Sequence, residues 1–518
     1  MSDKKNIVWA DDEIELLKPH ILLLEEKDYN IIPVNSGEDA INQFSESVVD
    51  LLLIDEMMTG LDGLSTIAII KKKWPDIPII MITKNEEEWL MEEAIASQIS
   101  NYLIKPVNPN QILIACKNIL ESKNLRGNKV AETFLSEFKE IENKMQSCVE
   151  VSDWVKIYDQ LSNWSINFEQ FNNGNLVQIL NELHVEANRL FADFISDNYL
   201  KIINNNQFIL SPHILDNFIK PLLENDKDVV MIVIDCLKYD HWKQINNSLT
   251  PFYTIDTKQH LSILPTATPY SRNAIFSGKY PIDIETEFPE QWMAMNSDEK
   301  KLNDFEDFFL NQYLNSNGLN HKSMHYTKLT THVQGKKFFN RIKEYKNINL
   351  LTMVVNFVDI LGHSRSESNL LKELIPDEVA YRRAVNDWFK NSWLFDMLIE
   401  ISEWNKTILI TSDHGSVRVK KAVKVKADKN TSSGIRYKHG KNLNLSSKFA
   451  LTISDLEKYK LSKNSQNESF IVAKNDWFYL YPNNYNQFVR KFQNSFHHGG
   501  ITLDEMIVPI GILESKNL

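Results

Sequence analysis

Three short apolar runs in the C-terminal two-thirds of the chain each lead into an aspartate, and no other feature restricts the fold so tightly. V-V-M-I-V-I runs from Val229 into Asp235, and L-T-M-V-V-N-F-V runs from Leu351 into Asp359, with His363 four residues on. T-I-L-I-T-S (Thr407 to Ser412) leads into Asp413 and His414, and His498 sits in an H-H-G-G tract near the end. Such runs read as strands of a buried parallel sheet, and open α/β sheets bind ligands at the carboxyl ends of their strands. Between the first two lies L-P-T-A-T-P-Y-S-R-N-A-I-F-S-G (Leu264 to Gly278), which supplies hydroxyls. Three Asp, three His and one well-placed hydroxyl suffice for two metal ions. Histidines with carboxylates and no thiolates suit Zn²⁺, with Mn²⁺ as the other choice. A threonine hydroxyl is a poor nucleophile at neutral pH; two divalent cations about 4 Å apart acidify it and suit in-line phosphoryl displacement.

At 518 residues the chain exceeds one core, so two to four domains are expected. The formal net charge of -12 argues against a general nucleic-acid-binding surface while leaving room for a local basic pocket. Cys116, Cys148 and Cys236 are odd in number and lack metal spacing, which points to a reducing compartment. No signal peptide is evident and no apolar run approaches the ~20 residues that span a bilayer, so a cytoplasmic protein with no membrane association is expected.

The first 120 or so residues alternate strand and helix periods. Asn6–Ala10 ends in Asp11-Asp12, Leu51–Ile54 in Asp55, Ile79–Ile82 in Thr83, and Asn101–Ile104 in Lys105-Pro106. Ile14, Leu17, Ile21 and Leu24 share one helical face. Asp11, Asp12, Asp55, Thr83 and Lys105 therefore converge above one parallel sheet. Three carboxylates beside a lysine make a hard-cation site suited to Mg²⁺. This set resembles the receiver domain of two-component response regulators. The resemblance implies that Asp55 is the phosphoacceptor, that Asp12, Asp55 and the Met57 carbonyl bind Mg²⁺ with Asp11 acting through water, and that Thr83 and Lys105 contact the phosphoryl group. It makes Tyr102 the aromatic switch, while Thr59 stands where the family often has proline. Receivers commonly pair through the surface around the helix expected at Glu86–Ser97 and the last helix, Asn108–Leu120, so a phosphorylation-dependent homodimer is expected.

From about 123 to 206 the periodicity is helical, with Phe134, Phe138, Ile141 and Met145 in one set and Leu183, Ala187, Leu190, Phe191 and Phe194 in another. Asn172 to Asn175 reads as a turn, and Trp154, Trp164 and His184 as core or half-buried residues. Val419 to Gly440 is lysine-rich and strand-poor, with Lys420, Lys421, Lys424, Lys426, Lys429, Arg436, Lys438 and nearby Lys441. It reads as a solvated loop or as a mobile lid that brings cations to an anionic substrate. I-V-P-I-G-I-L, at the C-terminus, adds a last strand.

The segment from Asp235 to His498 resembles a PglZ domain of the alkaline phosphatase superfamily. Its carriers are I-D-C-L-K-Y-D (Ile234 to Asp240), P-T-A-T with Ser277-Gly278 downstream, D-I-L-G-H (Asp359 to His363), S-D-H-G (Ser412 to Gly415) and H-G-G-I-T-L-D-E-M (His498 to Met506). The resemblance implies that Asp235, Thr268, Asp413 and His414 hold the metal that activates the nucleophile, Thr268. It gives Asp359, His363 and His498 to the other. Thr268 is preferred over Thr266, and His498 over His497; Lys238 stands where such sequences tend to have arginine. Ser271 and Arg272 are candidate substrate contacts.

The order of receiver, helical connector and PglZ domain is similar to that of PorX-type response regulators of the type IX secretion system. That likeness implies a sensor histidine kinase partner, control of secretion genes and a sigma-factor partner. The expected fold is α/β, with a flavodoxin-like (βα)5 receiver over 1–122, a helical-bundle connector over 123–206 and an alkaline-phosphatase-like α/β/α domain over 207–518. The expected activity is a phosphorylation-controlled, zinc-dependent phosphoesterase, with a phosphodiester of nucleotide or oligonucleotide type favoured as substrate. The competing reading is a signalling adaptor or transcriptional regulator with a structural metal site. No DNA-binding helix-turn-helix is recognisable.

Overall fold

The computed structural model describes residues 4–84, 99–120, 122–169, 174–205, 207–297, 301–426, 434–443, 445–463 and 468–516. The chain divides into two compact units, Met1–Ser136 and Glu137–Leu518.

In the first unit, β1 (Lys5–Ala10), β2 (Tyr29–Val34), β3 (Leu51–Asp55), β4 (Ile79–Thr83) and β5 (Asn101–Ile104) form a parallel sheet in the order β2-β1-β3-β4-β5. Period-two alternation sends Ile7, Trp9, Leu51 and Leu53 to one face and Val8, Ala10, Leu52 and Ile54 to the other, each covered by a hydrophobic cluster. Both faces are apolar because parallel strands need crossover helices, and helices cover both sides. The helix read from Ile14 starts as a 3₁₀ turn, Ile14–Leu17, and becomes α-helical only over Lys18–Glu25, where Pro19 is tolerated in the first turn. The helix expected at Glu86–Ser97 lies outside the described residues.

In the second unit, the helices Val151–Phe168 and Gly174–Asn205 pack through Trp154 against Phe191, with ring centroids 5.6 Å apart in an edge arrangement. Trp154 and Trp164 are buried core residues and His184 is half-buried, in line with the expectation of core or half-buried positions. Gly174 and Asn175, expected in a turn, open the second helix instead, while Asn172 and Asn173 lie outside the described residues.

The strands β6 (Asp228–Ile234), β7 (Tyr253–Leu261), β8 (Met324–Leu329), β9 (Leu350–Val355) and β10 (Lys406–Thr411) belong to the main sheet of this unit. Seven shorter strands then form an accessory region. β11 (Val417–Arg418) pairs with β17 (Phe496–His497), and β12 (Lys421–Lys424) pairs with β16 (Trp477–Leu480). β13 (Tyr437–Lys441) and β14 (Ala450–Ile453) flank β15 (Glu468–Ala473). The last strand, β18 (Ile507–Ser515), returns to the main sheet, whose order is β7-β18-β10-β6-β9-β8. β10, β6, β9 and β8 run parallel; β18 is antiparallel to β10 and to β7.

Two expectations need correction. Asp359 does not end a strand, since β9 stops at Val355 and Asp359 lies in the first turn of the Phe357–Glu367 helix. An unbroken apolar run cannot distinguish a strand from a strand followed at once by a buried helix turn. The Val419–Gly440 stretch is not strand-poor either, because β12 and β13 fall within or across it, with Val419, Val425, Arg436 and Lys438 buried. Its lysines masked a partial alternation, V-R-V-K-K-A-V-K-V, that marks half-buried strands. Lys429 lies outside the described residues.

The helical pair depends on its indole core. Trp154→Ala is expected to destabilise the second unit by about 3–5 kcal/mol, the usual cost of deleting a fully buried large aromatic. Urea unfolding of the intact chain checks this; an unchanged midpoint would mean that these helices share no packed core.

Candidate functional site

In the first unit the strand ends bring the expected acidic cluster together. Ligand atoms of Asp11, Asp12 and Asp55 lie within 4.8 Å of one another, with Asp12 exposed and the other two buried. Lys105 Nζ lies 3.0 Å from both Asp11 Oδ2 and Asp55 Oδ2. Burial raises the Asp55 carboxyl above the ordinary range, against the opposing pull of Lys105. The Thr83 hydroxyl donates to Glu56, and Tyr102 points outward, 39% exposed. Met57 is exposed beside Asp55. The three acids fit a hard divalent cation such as Mg²⁺.

In the second unit, β6 delivers Asp235, β10 delivers Asp413 and His414, and the turn after β17 delivers His498. Asp359 and His363 project from one helix with i, i+4 spacing. Two clusters result, Asp235/Asp413/His414 and Asp359/His363/His498, each with ligand atoms within 4.8 Å of one another. The rings of His414 and His498 stack between them at a centroid distance of 4.0 Å. Thr268, half-buried at the first position of the Thr268–Ser277 helix, places its hydroxyl 2.9 Å from His414 Nε2. His414 Nδ1 lies 3.1 Å from the Gly415 carbonyl, which assigns the proton to Nδ1 and leaves Nε2 a free lone pair.

Each carboxylate of the first cluster has one oxygen tethered. Asp235 Oδ2 accepts from Arg272 Nη1 at 2.5 Å and Asn356 Nδ2 at 2.6 Å. Asp413 Oδ1 accepts from the backbone amides of Cys236 at 3.3 Å and His414 at 3.1 Å. Among the described residues, Asp235 Oδ1, Asp413 Oδ2 and Asp359 Oδ1 are buried without a hydrogen-bond partner. Buried polar atoms are rarely left unsatisfied, and three such oxygens facing histidine nitrogens fit divalent cations. Electrostatics agrees. Burial, reinforced by Asp413, raises the Asp235 carboxyl to about 7, and burial raises Asp413 to about 6. Burial would raise Asp359 too, but His363, whose Nε2 lies 3.2 Å from Asp359 Oδ1, holds it below the usual range. Burial, with the neighbouring His414, pushes His498 well down, which favours the neutral, ligating imidazole.

Neighbouring alternatives are already engaged. Thr266 is fully buried, donating to the Gly500 carbonyl at 2.7 Å and accepting from the Gly499 amide at 3.2 Å. His497 is buried 2.9 Å from Ser495 Oγ, whereas His498 Nε2 reaches to 3.6 Å from Asp359.

The expected substrate contacts are corrected. Arg272 is 2% exposed and turned inward, bridging Asp235 to Glu306 through an Nε–Oε1 bond of 2.5 Å. Ser271 is fully buried, its hydroxyl 2.8 Å from Ser262 Oγ. Helix geometry turns both toward the sheet, where the carboxylates need a counter-charge. Lys238 is also buried, pairing with Glu378 at 2.8 Å and Asp504 at 3.1 Å. Glu306 and Asn356 were not legible in the sequence. Glu306 lies outside every motif, and Asn356 passes as part of the Leu351–Val358 run although it is the first polar residue after β9.

A parallel sheet ending in a phosphoacceptor-type acidic cluster, and a mixed sheet carrying two Asp/His clusters beside a hydroxyl, define a response regulator with an alkaline phosphatase-like effector. Family comparison agrees. The response regulator receiver domain matches residues 7–117, the PorX response regulator linker domain residues 124–203, and the BREX system PglZ alkaline phosphatase-like domain residues 214–512, more than half of the chain. The chain belongs to the PglZ alkaline phosphatase-like family and, with its receiver and linker, is a PorX-type regulator.

Among curated proteins it is similar to the transcriptional regulatory protein ResD of Bacillus subtilis (strain 168), 30% identical over 119 residues, covering 23% of this chain and 49% of ResD. It is also similar to the transcriptional regulatory protein ZraR of Escherichia coli (strain K12), 35% identical over 106 residues, covering 20% of this chain and 24% of ZraR. The chain thus spans less than half the length of these relatives. Among solved structures, a response regulator receiver domain protein from Clostridium thermocellum is 27% identical, covering 23% of this chain and 98% of its own, with a TM-score of 0.22. Among the described residues no helix is long and apolar enough to cross a membrane.

The raised carboxyls predict a stability signature. In the unfolded chain both aspartates ionise near the ordinary value of about 3.9. In the folded, metal-free protein they ionise at about 7 and about 6, so folding takes up protons between these limits. Their contribution to stability is complete below about pH 4 and is lost as pH rises through 6 to 7. A bound cation removes that loss. The thermal midpoint of chelated protein should therefore fall further below that of metal-loaded protein as pH rises from about 5 to about 7.5. A gap independent of pH would refute the assignment.

Proposed function

We propose that the C-terminal domain is a two-metal phosphodiesterase acting on nucleotide or oligonucleotide substrates, with Thr268 as nucleophile, and that phosphorylation of Asp55 controls it. The observation that carries this reading is the Thr268 hydroxyl, 2.9 Å from a histidine lone pair and beside carboxylates with unpartnered oxygens. A purely structural metal site has no use for a half-exposed hydroxyl there.

Asp235, Thr268, Asp413 and His414 would hold one Zn²⁺, with Mn²⁺ as the other choice, and Asp359, His363 and His498 the second. When bound, the pair acidifies the hydroxyl and offsets charge on the attacking and leaving oxygens. The chain's own groups do the rest. The Thr268–Ser277 helix directs its positive end toward the reacting phosphoryl. Arg272 and Asn356 fix the Asp235 carboxylate, so little reorganisation is needed as charge develops. Diester cleavage is favoured because Arg272 and Lys238 are both consumed by internal carboxylates. Neither is left for the second negative charge of a monoester.

The receiver occupies 1–122, the connector 123–206 and the phosphoesterase 207–518 in this reading. Asp11, Asp12, Asp55 and the Met57 carbonyl would hold Mg²⁺. Thr83 and Lys105 would meet the phosphoryl group, with Tyr102 turning inward from its exposed position. A sensor histidine kinase supplies the phosphoryl group, and the output is control of type IX secretion in the cytoplasm, with a sigma factor as partner.

Thr268→Ala is expected to lower kcat on bis(p-nitrophenyl) phosphate about a thousandfold or more, as removal of a nucleophile does, while fold and bound zinc persist. Zinc content is read by elemental analysis, and near-wild-type turnover would refute the nucleophile. Phosphorylation of Asp55 is expected to give a homodimer; a bias of ~3 kcal/mol shifts a two-state ratio more than a hundredfold. Light scattering with Mg²⁺ and beryllofluoride tests it, and a monomer mass at full occupancy would refute it.

A further inference from the structure

The two metal clusters are built differently. Asp235 follows β6, and Asp413 and His414 follow β10, neighbouring strands whose ladder pairs Ile232 with Ile410 and Val233 with Thr411. Main-chain hydrogen bonds of the sheet therefore set the spacing of the first cluster. The second cluster has no such ladder. Asp359 and His363 stand on the Phe357–Glu367 helix, and His498 follows β17, which pairs with β11 and not with the main sheet. Among the described residues no backbone–backbone hydrogen bond joins that helix to residues 494–498. Side chains have to hold the two elements together.

Two buried side chains do so. Arg365, 3% exposed and two residues beyond His363, donates from Nε to the Ile375 carbonyl, from Nη1 to the Asn494 carbonyl at 2.6 Å and from Nη2 to the Pro376 carbonyl at 3.4 Å. All three acceptors are neutral carbonyls, an unusual setting for a buried cation, since charges taken out of water are commonly paired with acids. The guanidinium offers a planar fork with fixed N–H directions, which can span carbonyls of two separate segments at once. Tyr381, fully buried on the Glu378–Lys390 helix, donates its hydroxyl to the Val358 carbonyl at 2.9 Å and stacks its ring on Phe496 at a centroid distance of 4.2 Å. Val358 precedes Asp359, and Phe496 stands two residues before His498. Gly362, beside His363, keeps this approach open, because a Cβ there would crowd the Tyr381 hydroxyl at 3.0 Å.

We infer that Arg365 and Tyr381 are positioning residues for the second metal, fixing the helix that bears Asp359 and His363 against the strand that delivers His498; the inference rests on the two-metal reading of the centre. Each acts on backbone that leads to a ligand, Tyr381 at Val358 and Arg365 at Asn494. Ligand groups have to be held within about 0.5 Å of their working geometry, and the outer partners of metal ligands commonly contribute about 10- to 100-fold in affinity. The first metal, set by β6 and β10, should be indifferent to both residues. The centre thus joins a site built by the sheet to a site built by a side-chain clamp, and loosening the clamp should weaken the second alone. Arg365→Lys keeps the charge and loses the fork, and Tyr381→Phe keeps the ring and loses the hydroxyl.

The test titrates zinc into metal-free intact protein against a chromophoric chelator, which gives the two dissociation constants. Arg365→Lys is expected to weaken one zinc about 10- to 100-fold and Tyr381→Phe to weaken the same zinc about tenfold, with the other within about twofold of wild type. Two backgrounds identify the zinc affected. With the second site disabled by His498→Ala, neither substitution should change the zinc that remains; with the first disabled by Asp413→Ala, both should weaken it. Circular dichroism checks the fold, and Tyr381→Phe, which removes a single oxygen, carries the test if Arg365→Lys does not fold. A merely structural contribution would lower both affinities together. Equal weakening of both zinc ions, no weakening of either, or weakening in the His498→Ala background would overturn the clamp while leaving the two-metal reading in place. A wild-type protein that binds fewer than two zinc ions would overturn the two-metal reading and the clamp with it.

Discussion

Asp235 and Asp413 follow the ends of neighbouring strands, Asp359 stands one helical turn past the end of a third, and the C-terminal domain is arranged around keeping them there. Like charges so placed repel, and burial penalises their ionisation, as the raised carboxyls of Asp235 and Asp413 record. The chain answers with tethers. One oxygen of Asp235 is held by Arg272 and Asn356, one of Asp413 by two backbone amides, and the remaining oxygens face the histidines. Such preorganisation is costly in an empty site and useful in a loaded one, since an incoming cation meets ligands already aimed.

Support extends outward from these tethers. Arg272 is itself held by Glu306, which accepts from the Tyr326 hydroxyl on β8. On the other side, the turn at 502–505 links the connector helices to the ligand-bearing loops. His184 Nε2 lies 2.8 Å from Asp504 Oδ2, the Tyr158 hydroxyl donates to Asp504 Oδ1 at 3.1 Å, and Asn188 accepts from the Leu503 amide at 2.8 Å. Glu505 binds Arg436 through two bonds, accepts from the Gly500 amide at 2.8 Å, and offers its carbonyl to the Gly415 amide at 3.1 Å. Gly415 and Gly500 lie next to His414 and two residues after His498. A half-buried connector histidine is thus joined through one turn to both clusters, and this part of the connector packs as one compact unit with the domain it precedes.

Much of the first unit was legible because parallel strands buried on both faces give unbroken apolar runs, and each run there ends in its functional residue. β5 spans the expected Asn101–Ile104, and β3 and β4 exceed theirs by one residue. In the second unit the same rule led to Asp235 and Asp413 but misplaced Asp359 on a strand. The lysines of β12 hid a strand pattern behind a charge run. Composition and periodicity report how a segment meets solvent, and a strand whose outer face is cationic looks like a loop by that measure.

The residue types and their order by themselves determined the domain succession, the acidic cluster of the receiver, and the aspartates, histidines and hydroxyls available for a metal centre. Each depends on local pattern, because a strand end places its next polar residue at the sheet edge whatever lies elsewhere. Only the tertiary structure decided that Thr268 approaches His414 while Thr266 is consumed by the Gly499–Gly500 backbone, and that Arg272 turns inward to Asp235 and Glu306 rather than outward to a substrate. Those choices depend on which charges and carbonyls the fold places within hydrogen-bonding reach, at separations of tens to hundreds of residues. No local pattern encodes the partner that satisfies a buried polar group.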